Sequence, residues 1–290
     1  MINIIKLITS LSFITASITL VAVIKNYLRN LIKPNTVYTP SSKWVSNGVQ
    51  IIPAHFGIEK SMDALIVAPK FVNWLQNILC RRELLVHTVT VTDVDWFAAK
   101  PDPVKLGFVK CVLTGATDAV TGKKVMSNIV FIRGNSVAVL IIVTVLGKTP
   151  ATDAKYVLLC EQMRAPFGKR VKEICAGMTD AEGNILSVVL KEVKEETGIN
   201  VQNVNQLITL GTIMPSPGAC DELIYLYAYE TVMSQLEFEE KQSRLYGNTD
   251  EQEEIKLQFV KINEYENNVL EEIADVKGEC AFRRYKQKIY

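Results

Sequence analysis

Apolar and polar positions along the chain follow two periods, and most of it reads as strands separated by turn-formers. Pro69 stands where a helix can begin, and Phe71, Trp74, Leu75 and Ile78 follow at helical spacing, which predicts an amphipathic helix over 69–80. Strand-like runs come next at GFVKCVL (107–113), SNIVFIR (127–133), SVAVLIIVTVL (136–146) and KYVLLCEQM (155–163). The segments GATDAVTG and GKTPATD supply turns between them. Further strands are predicted at QLITLGTIM (206–214), ELIYLYAYETV (222–232) and EIKLQFVKI (254–262), and helices over 185–197 and 263–275. In the first of these two helices Leu186, Val189, Leu190 and Val193 occupy i, i+3, i+4 and i+7, one stripe for a core. The pattern is that of an α+β chain.

The N-terminus is different. Residues 7–24, LITSLSFITASITLVAVI, carry no charge and would make a helix of about 27 Å, just enough to cross a bilayer core. Six Ser and Thr residues dilute that stretch, so three readings stay open: a membrane anchor, an organelle presequence for mitochondrion or plastid, or a cleaved signal peptide. Lys25, Arg29 and Lys33 behind it would keep the rest of the chain on the cytosolic or matrix side. Residues 1–34 are read as this anchor or targeting segment, with possible membrane contact through 7–24. KPNTVYTPSSKWVSNG (33–48) reads as an extended linker.

Composition narrows the function classes. Of 290 residues 48% are hydrophobic and 22% charged, which excludes collagen-like, disulfide-dense and wholly disordered chains. The formal charge of +1 divides into +5 before residue 59 and 27 − 31 = −4 after it. An acidic body lacks the cation surplus of a nonspecific nucleic-acid binder, so no nucleic-acid partner is expected. Six cysteines, at 80, 111, 160, 175, 220 and 280, lack the close spacing of a zinc or redox motif and read as buried small hydrophobes. With His55 and His87 the only histidines, a Ser-His or Cys-His unit is not expected. Gly122-Lys123 and Gly147-Lys148-Thr149 lack the first glycine of a phosphate loop and read as ordinary turns.

The informative segment is AGMTDAEGNILSVVLKEVKEETGI, from Ala176 to Ile199. Glu192, Glu195 and Glu196 crowd one end of the helix, where like charges cost about 0.2–0.5 kcal/mol per pair and the helix dipole disfavours anions. Two readings explain the cluster. Either it is a solvated face, with Lys191 pairing Glu195, or a hard divalent cation resolves the repulsion. A second acidic group, Asp250, Glu251, Glu253 and Glu254, precedes a predicted strand from which a loop could bring carboxylates to the helix.

These residues carry a family resemblance. Gly177 to Ile199 resembles the Nudix box, a Gly followed by a Glu and then by Arg-Glu-aliphatic-x-Glu-Glu-x-Gly-aliphatic. This chain has Lys191-Glu192-Val193-Lys194-Glu195-Glu196-Thr197-Gly198-Ile199. VLLCEQMRAPFGKRVKEICAGM and PSPGACDELIYLY around it are similar to the ADP-sugar and nucleoside diphosphate sugar pyrophosphatase branch. The resemblance covers roughly residues 50 to 285. It departs at Gly183, where the box has Glu, at Lys191, where it has Arg, and at Cys175, where the branch has Pro.

The resemblance implies a Nudix fold, a mixed β-sheet sandwiched between helices, over 134–290. A linker and N-terminal β-rich α/β subdomain over 35–133 and an N-terminal hydrophobic helix would precede it. It implies Mg²⁺, with Mn²⁺ as substitute, held by Glu192, Glu195, Glu196, Glu253 and the Ala176 carbonyl, and Glu251 as general base with Glu195 also catalytic. Arg164, at the end of a predicted strand, could clamp a diphosphate or be a surface arginine, and Glu222 would touch substrate; Trp96 or Phe97 could stack on the base, with core packing the favoured use for either. The implied activity is hydrolysis of a nucleoside diphosphate sugar to nucleoside monophosphate and sugar 1-phosphate by a homodimer. The rival reading is a Nudix-fold scaffold, attached to a membrane or larger complex, that binds without turnover. A dinucleoside polyphosphate hydrolase is an alternative within the same class.

Overall fold

The structure, a computed structural model, describes residues 44–126, 128–147, 149, 154–179, 184–248, 253–269 and 275–289. The hydrophobic stretch 7–24 and the linker up to residue 43 lie outside the described residues. Among those described, no helix is long and apolar enough to cross a membrane.

The last part of the expected linker belongs to the fold. Trp44 is 3% exposed, and Val45–Ser46 (β1) pairs antiparallel with Val49–Pro53 (β2). Asn47 and Gly48 between them take φ of 46° and 80°. A two-residue hairpin turn requires two positive φ values, and Asn-Gly tolerates both, so SNG is a turn inside a sheet and not linker punctuation.

Leu84–Leu85 (β3), Thr88–Trp96 (β4), Leu106–Thr114 (β5), Thr117–Asp118 (β6) and Ile129–Ile132 (β7) follow. They form a five-stranded sheet in the order β1-β2-β4-β5-β7 and a small β3-β6 ribbon. The helix predicted from Phe71, Trp74 and Leu75 is present as Pro69–Cys80 (α1), opened by its proline. Its buried face joins Met62, Leu65, Val89, Val91, Val109, Cys111 and Ile132 in one apolar cluster. β4 was not anticipated, although TVTVTDVDW alternates. Two bulges against β5 offset its alternation from a regular ladder.

The second sheet is built around Ser136–Val145 (β8), whose residues are buried except Thr144. Ile224–Met233 (β13) pairs with it in parallel, and Ala154–Arg164 (β9) antiparallel. Lys169–Glu173 (β10), Cys175–Met178 (β11), Leu207–Ile213 (β12), Leu245–Tyr246 (β14) and Ile255–Lys261 (β15) complete it. The path is β12-β13-β8-β9-β15-β14, with β10 on β9 and β11 on β8. Alternate β8 side chains serve opposite layers. Val137, Val139, Ile141 and Val143 meet Val189 and Val193 of the helix Ile185–Thr197 (α2). Ala138, Leu140 and Ile142 meet Ala281, Phe282 and Tyr285 of the helix Val276–Ile289 (α4). A helix Gln235–Ser243 (α3), unforeseen, lays Phe238 on Tyr156 and Phe259. This is the expected mixed sheet between helices.

β9 also forks. Up to Leu158 it pairs with β8; from Cys160 onward it pairs with β10, and β11 takes the vacated edge of β8. The helix expected over 263–275 is seen in its first part. Among the described residues there, Ile262–Glu264 and a wider turn at Tyr265–Val269 are helical, 270–274 lie outside the described residues, and the long helix is α4, from Val276. The charged residues of KGECAFRRYKQKI hide the short apolar stripe that α4 buries.

Candidate active site

α2 begins at Asn184, whose Oδ1 accepts the Leu186 N–H at 3.1 Å, and ends at Gly198 with φ 64°. With Val189 and Val193 pressed on β8, Glu192 and Glu196 face β11. Glu196 is 3% exposed, and its Oε2 accepts the Ala176 N–H at 3.1 Å. Gly177 meets Glu192 even more closely, because a Cβ there would overlap the Glu192 carboxyl group.

Burial is the main cause of the proton affinities. It pushes Glu192 up to about 7, with the Glu196 charge adding to it and Lys191 opposing. It likewise pushes Glu196 up to about 7, against hydrogen bonds from the Cys175 thiol and Ala176 N–H, with the Glu253 charge raising it further. Glu195 lies to the outside and pairs with Lys191 at 3.8 Å. The cluster therefore divides: Glu195 has the solvated ion pair of one sequence reading, while Glu192 and Glu196 are the desolvated pair of the other.

Glu253 stands across from them, its N–H donating to the Asn248 carbonyl at 3.0 Å and its Oε2 accepting the Asn248 N–H at 3.4 Å. Glu251 lies outside the described residues. The donors fit a hard divalent cation in kind, since they are oxygens whose mutual repulsion and burial a bound cation would offset. Among the described residues, no three acidic, His or Cys side chains converge closely enough to hold an ion as they stand.

Arg164 closes β9 at the fork. Its Nε donates to Glu173 Oε2 at 3.0 Å, and Nη2 reaches the same oxygen. Behind Glu173, Lys277 lies 3.7 Å from its carboxylate and 2.9 Å from Asp275. The charges of Glu196 and Glu253 both act on Arg164.

Glu222 and Trp96 have partners of their own. Glu222 accepts from Ser136 Oγ at 2.8 Å and lies 3.1 Å from Arg133 Nε. Trp96 packs against the first apolar cluster, its Nε1 buried without a hydrogen-bond partner among the described residues. Its neighbour Phe97 is 53% exposed, edge-on to Phe108, which stacks on Phe131.

Sequence reasoning missed two features. Asp221 accepts the Arg133 and Gly134 N–H groups at 2.7 and 3.1 Å, tying the β7–β8 connection to the loop before β13. Cys160 and Cys175, fifteen residues apart by 175 − 160, meet at the fork and hydrogen-bond each other beside Glu196. Their spacing carries no motif, so only the fold reveals the pair. All six cysteines are free: Cys111, Cys160 and Cys175 are buried as expected, whereas Cys80 is exposed.

Residues 135–279 match the NUDIX domain family, half of the chain. The chain belongs to the Nudix family and is a Nudix-type hydrolase. It is 32% identical over 231 residues to Nudix hydrolase 14, chloroplastic, of Arabidopsis thaliana, spanning 74% of this chain and 70% of that one. It is also 36% identical over 76 residues to the methanol dehydrogenase activator of Bacillus methanolicus, spanning 26% and 40% of the two chains. Against the ADP-ribose pyrophosphatase of Haemophilus influenzae the identity is 31% over 125 residues, 40% of this chain and 52% of that one. The chain thus spans about half or less of the last two relatives.

Proposed function

We propose that the chain hydrolyses the diphosphate of a nucleoside diphosphate sugar of the ADP-ribose, ADP-glucose or UDP-glucose class, giving a nucleoside monophosphate and a sugar 1-phosphate. The observation that carries this is the pair Glu192 and Glu196, buried against Ala176-Gly177 and both raised to about 7. Buried carboxylates held at that cost in a Nudix-family helix are explained by a cation and an anionic substrate. A relative named ADP-ribose pyrophosphatase supports the substrate class.

In this reading Glu192, Glu195, Glu196, Glu253 and the Ala176 carbonyl hold Mg²⁺, or Mn²⁺. When bound, the ion supplies charge neutralisation of the diphosphate and acidification of water. Water oxygen forms a bond to phosphorus as the bridging P–O bond breaks, and the electron pair leaves with the departing phosphate. Glu251, with Glu195, takes the water proton. Arg164, oriented by Glu173, binds the diphosphate through its remaining N–H groups. Glu222 and Trp96 are proposed to contact the remainder of the substrate. The catalytic domain is taken as 134–290 and the N-terminal subdomain as 35–133, working as a homodimer. The name of the Arabidopsis relative supports organelle targeting through residues 1–34.

Incubating the protein with ADP-ribose, ADP-glucose and UDP-glucose in Mg²⁺ and identifying products tests this. Monophosphate release that falls at least about 100-fold in Glu196→Gln, with the fold retained, is expected. No monophosphate from any of the three would leave the scaffold reading in its place.

A further inference from the structure

Lys241 is buried, 8% exposed, on α3. Burial of a lysine is costly unless its ammonium finds partners. Here Nζ donates to the carbonyl of Thr197 at 3.0 Å and lies 5.5 Å from the centre of the Tyr246 ring. Thr197 is the last residue of α2, and it follows Glu196 directly. Lysine near a helix C-terminus satisfies carbonyls that have no partner within the helix.

The neighbouring carbonyls are fastened too. Gly198 N–H donates to Lys194 O at 2.9 Å, and Gly247 N–H donates to Glu195 O at 3.1 Å. Gly247 follows the Tyr246 ring that underlies Lys241, and on its other side it touches Glu253. With φ 109°, any Cβ on Gly247 would come within 2.9 Å of Glu253 Cβ and carbonyl oxygen. One short segment therefore fixes the end of the helix that carries Glu192, Glu195 and Glu196, and the start of the loop that carries Glu253.

We propose that Lys241, with Tyr246 and Gly247, is a latch that sets the spacing between the helix carboxylates and Glu253, making Lys241 a positioning residue for divalent-cation binding. This rests on the metal-binding reading above. Lys241 acts through the Thr197 carbonyl and not as a counter-charge to the carboxylates: the charged groups that act on it are Glu237, Glu240 and Arg244, none of them in the site. Partners that orient metal ligands typically contribute about 10- to 100-fold in metal affinity.

The test is Mn²⁺ binding to the full chain, read by electron paramagnetic resonance without substrate, alongside KM, kcat and thermal unfolding. Lys241→Met keeps the aliphatic stem and removes the donor. It is expected to weaken Mn²⁺ binding by about tenfold and to lower kcat with KM for substrate little changed. Lys241→Arg, which restores a donor, is expected to recover most of the loss. Folded Lys241→Met that binds Mn²⁺ within twofold of the wild type overturns the proposal. If that variant does not fold, Tyr246→Leu, which removes the ring beneath the ammonium, is read by the same criterion. Glu196→Gln separates the two ideas. If wild type and Glu196→Gln bind Mn²⁺ alike, the metal reading itself fails, and the latch fails with it.

Discussion

Gly177 is glycine for a steric reason, since the Glu192 carboxyl group fills the volume a side chain would need. Gly177→Ala must push Glu192 off β11 while leaving both apolar layers intact. Loss of activity by about 100-fold is expected, comparable to removing one transition-state stabilising group, with circular dichroism unchanged. If Gly177→Ala turns over at the wild-type rate, the contact has no catalytic meaning. At this scale the carboxylate cluster of the candidate site was legible. The i, i+3 and i+4 spacing of Glu192, Glu195 and Glu196 is local, and helix geometry turns it directly into proximity. What could not be read is which glutamate is buried, because that depends on where β11 runs. The Cys160–Cys175 pair was illegible for the same reason, since no local spacing joins two strands at a fork.

Among elements, the β9–β10 hairpin is anchored to the start of α4 by alternating charges, Arg164, Glu173, Lys277 and Asp275. The side chains of Glu173, Lys277 and Asp275 are only 13%, 13% and 12% exposed. Removing one partner of a buried pair leaves the others uncompensated, at about 3 kcal/mol. Glu173→Gln is therefore expected to lower stability by about that amount in urea unfolding, and to raise KM as Arg164 loses its orientation. An unchanged urea midpoint would count against the network. Long apolar strands such as β8 and β9 were plain from the sequence, and α1 and α2 from their stripes. α4 was not, because Ala281, Phe282 and Tyr285 sit among five Lys and Arg residues between 277 and 288. The Asn47-Gly48 hairpin was missed because turn residues beside a Pro- and Ser-rich run also fit a linker.

At the scale of the whole molecule, the carboxylate pair couples stability to pH. Glu192 and Glu196 hold their protons up to about 7 when folded, against an ordinary 4.5, so between these values the folded chain binds more protons than the unfolded one. Stability of the metal-free protein is then undiminished by this pair below about pH 4.5, falls as pH rises towards 7, and levels off above. Each tenfold change in proton affinity corresponds to about 1.4 kcal/mol, and mutual repulsion makes the two groups act together. Thermal unfolding from pH 5 to 8 with chelator is expected to show this decline. Mg²⁺ at 100 times its dissociation constant is expected to return about 2.7 kcal/mol at pH 8. A decline that Mg²⁺ leaves untouched would place its origin outside the carboxylates.

The parallel pairing of β8 with β13 bears on how the chain is made. Ser136 lies opposite Ile224, 224 − 136 = 88 residues later. At a synthesis rate of about 5–20 residues per second, one edge of β8 waits roughly 4 to 18 seconds for its partner. SVAVLIIVTV has no charge and no proline, the composition that assembles between chains when left unpaired. Slower translation lengthens that wait, and the hazard outlasts the synthesis of α2, ending only when Ile224–Met233 has emerged.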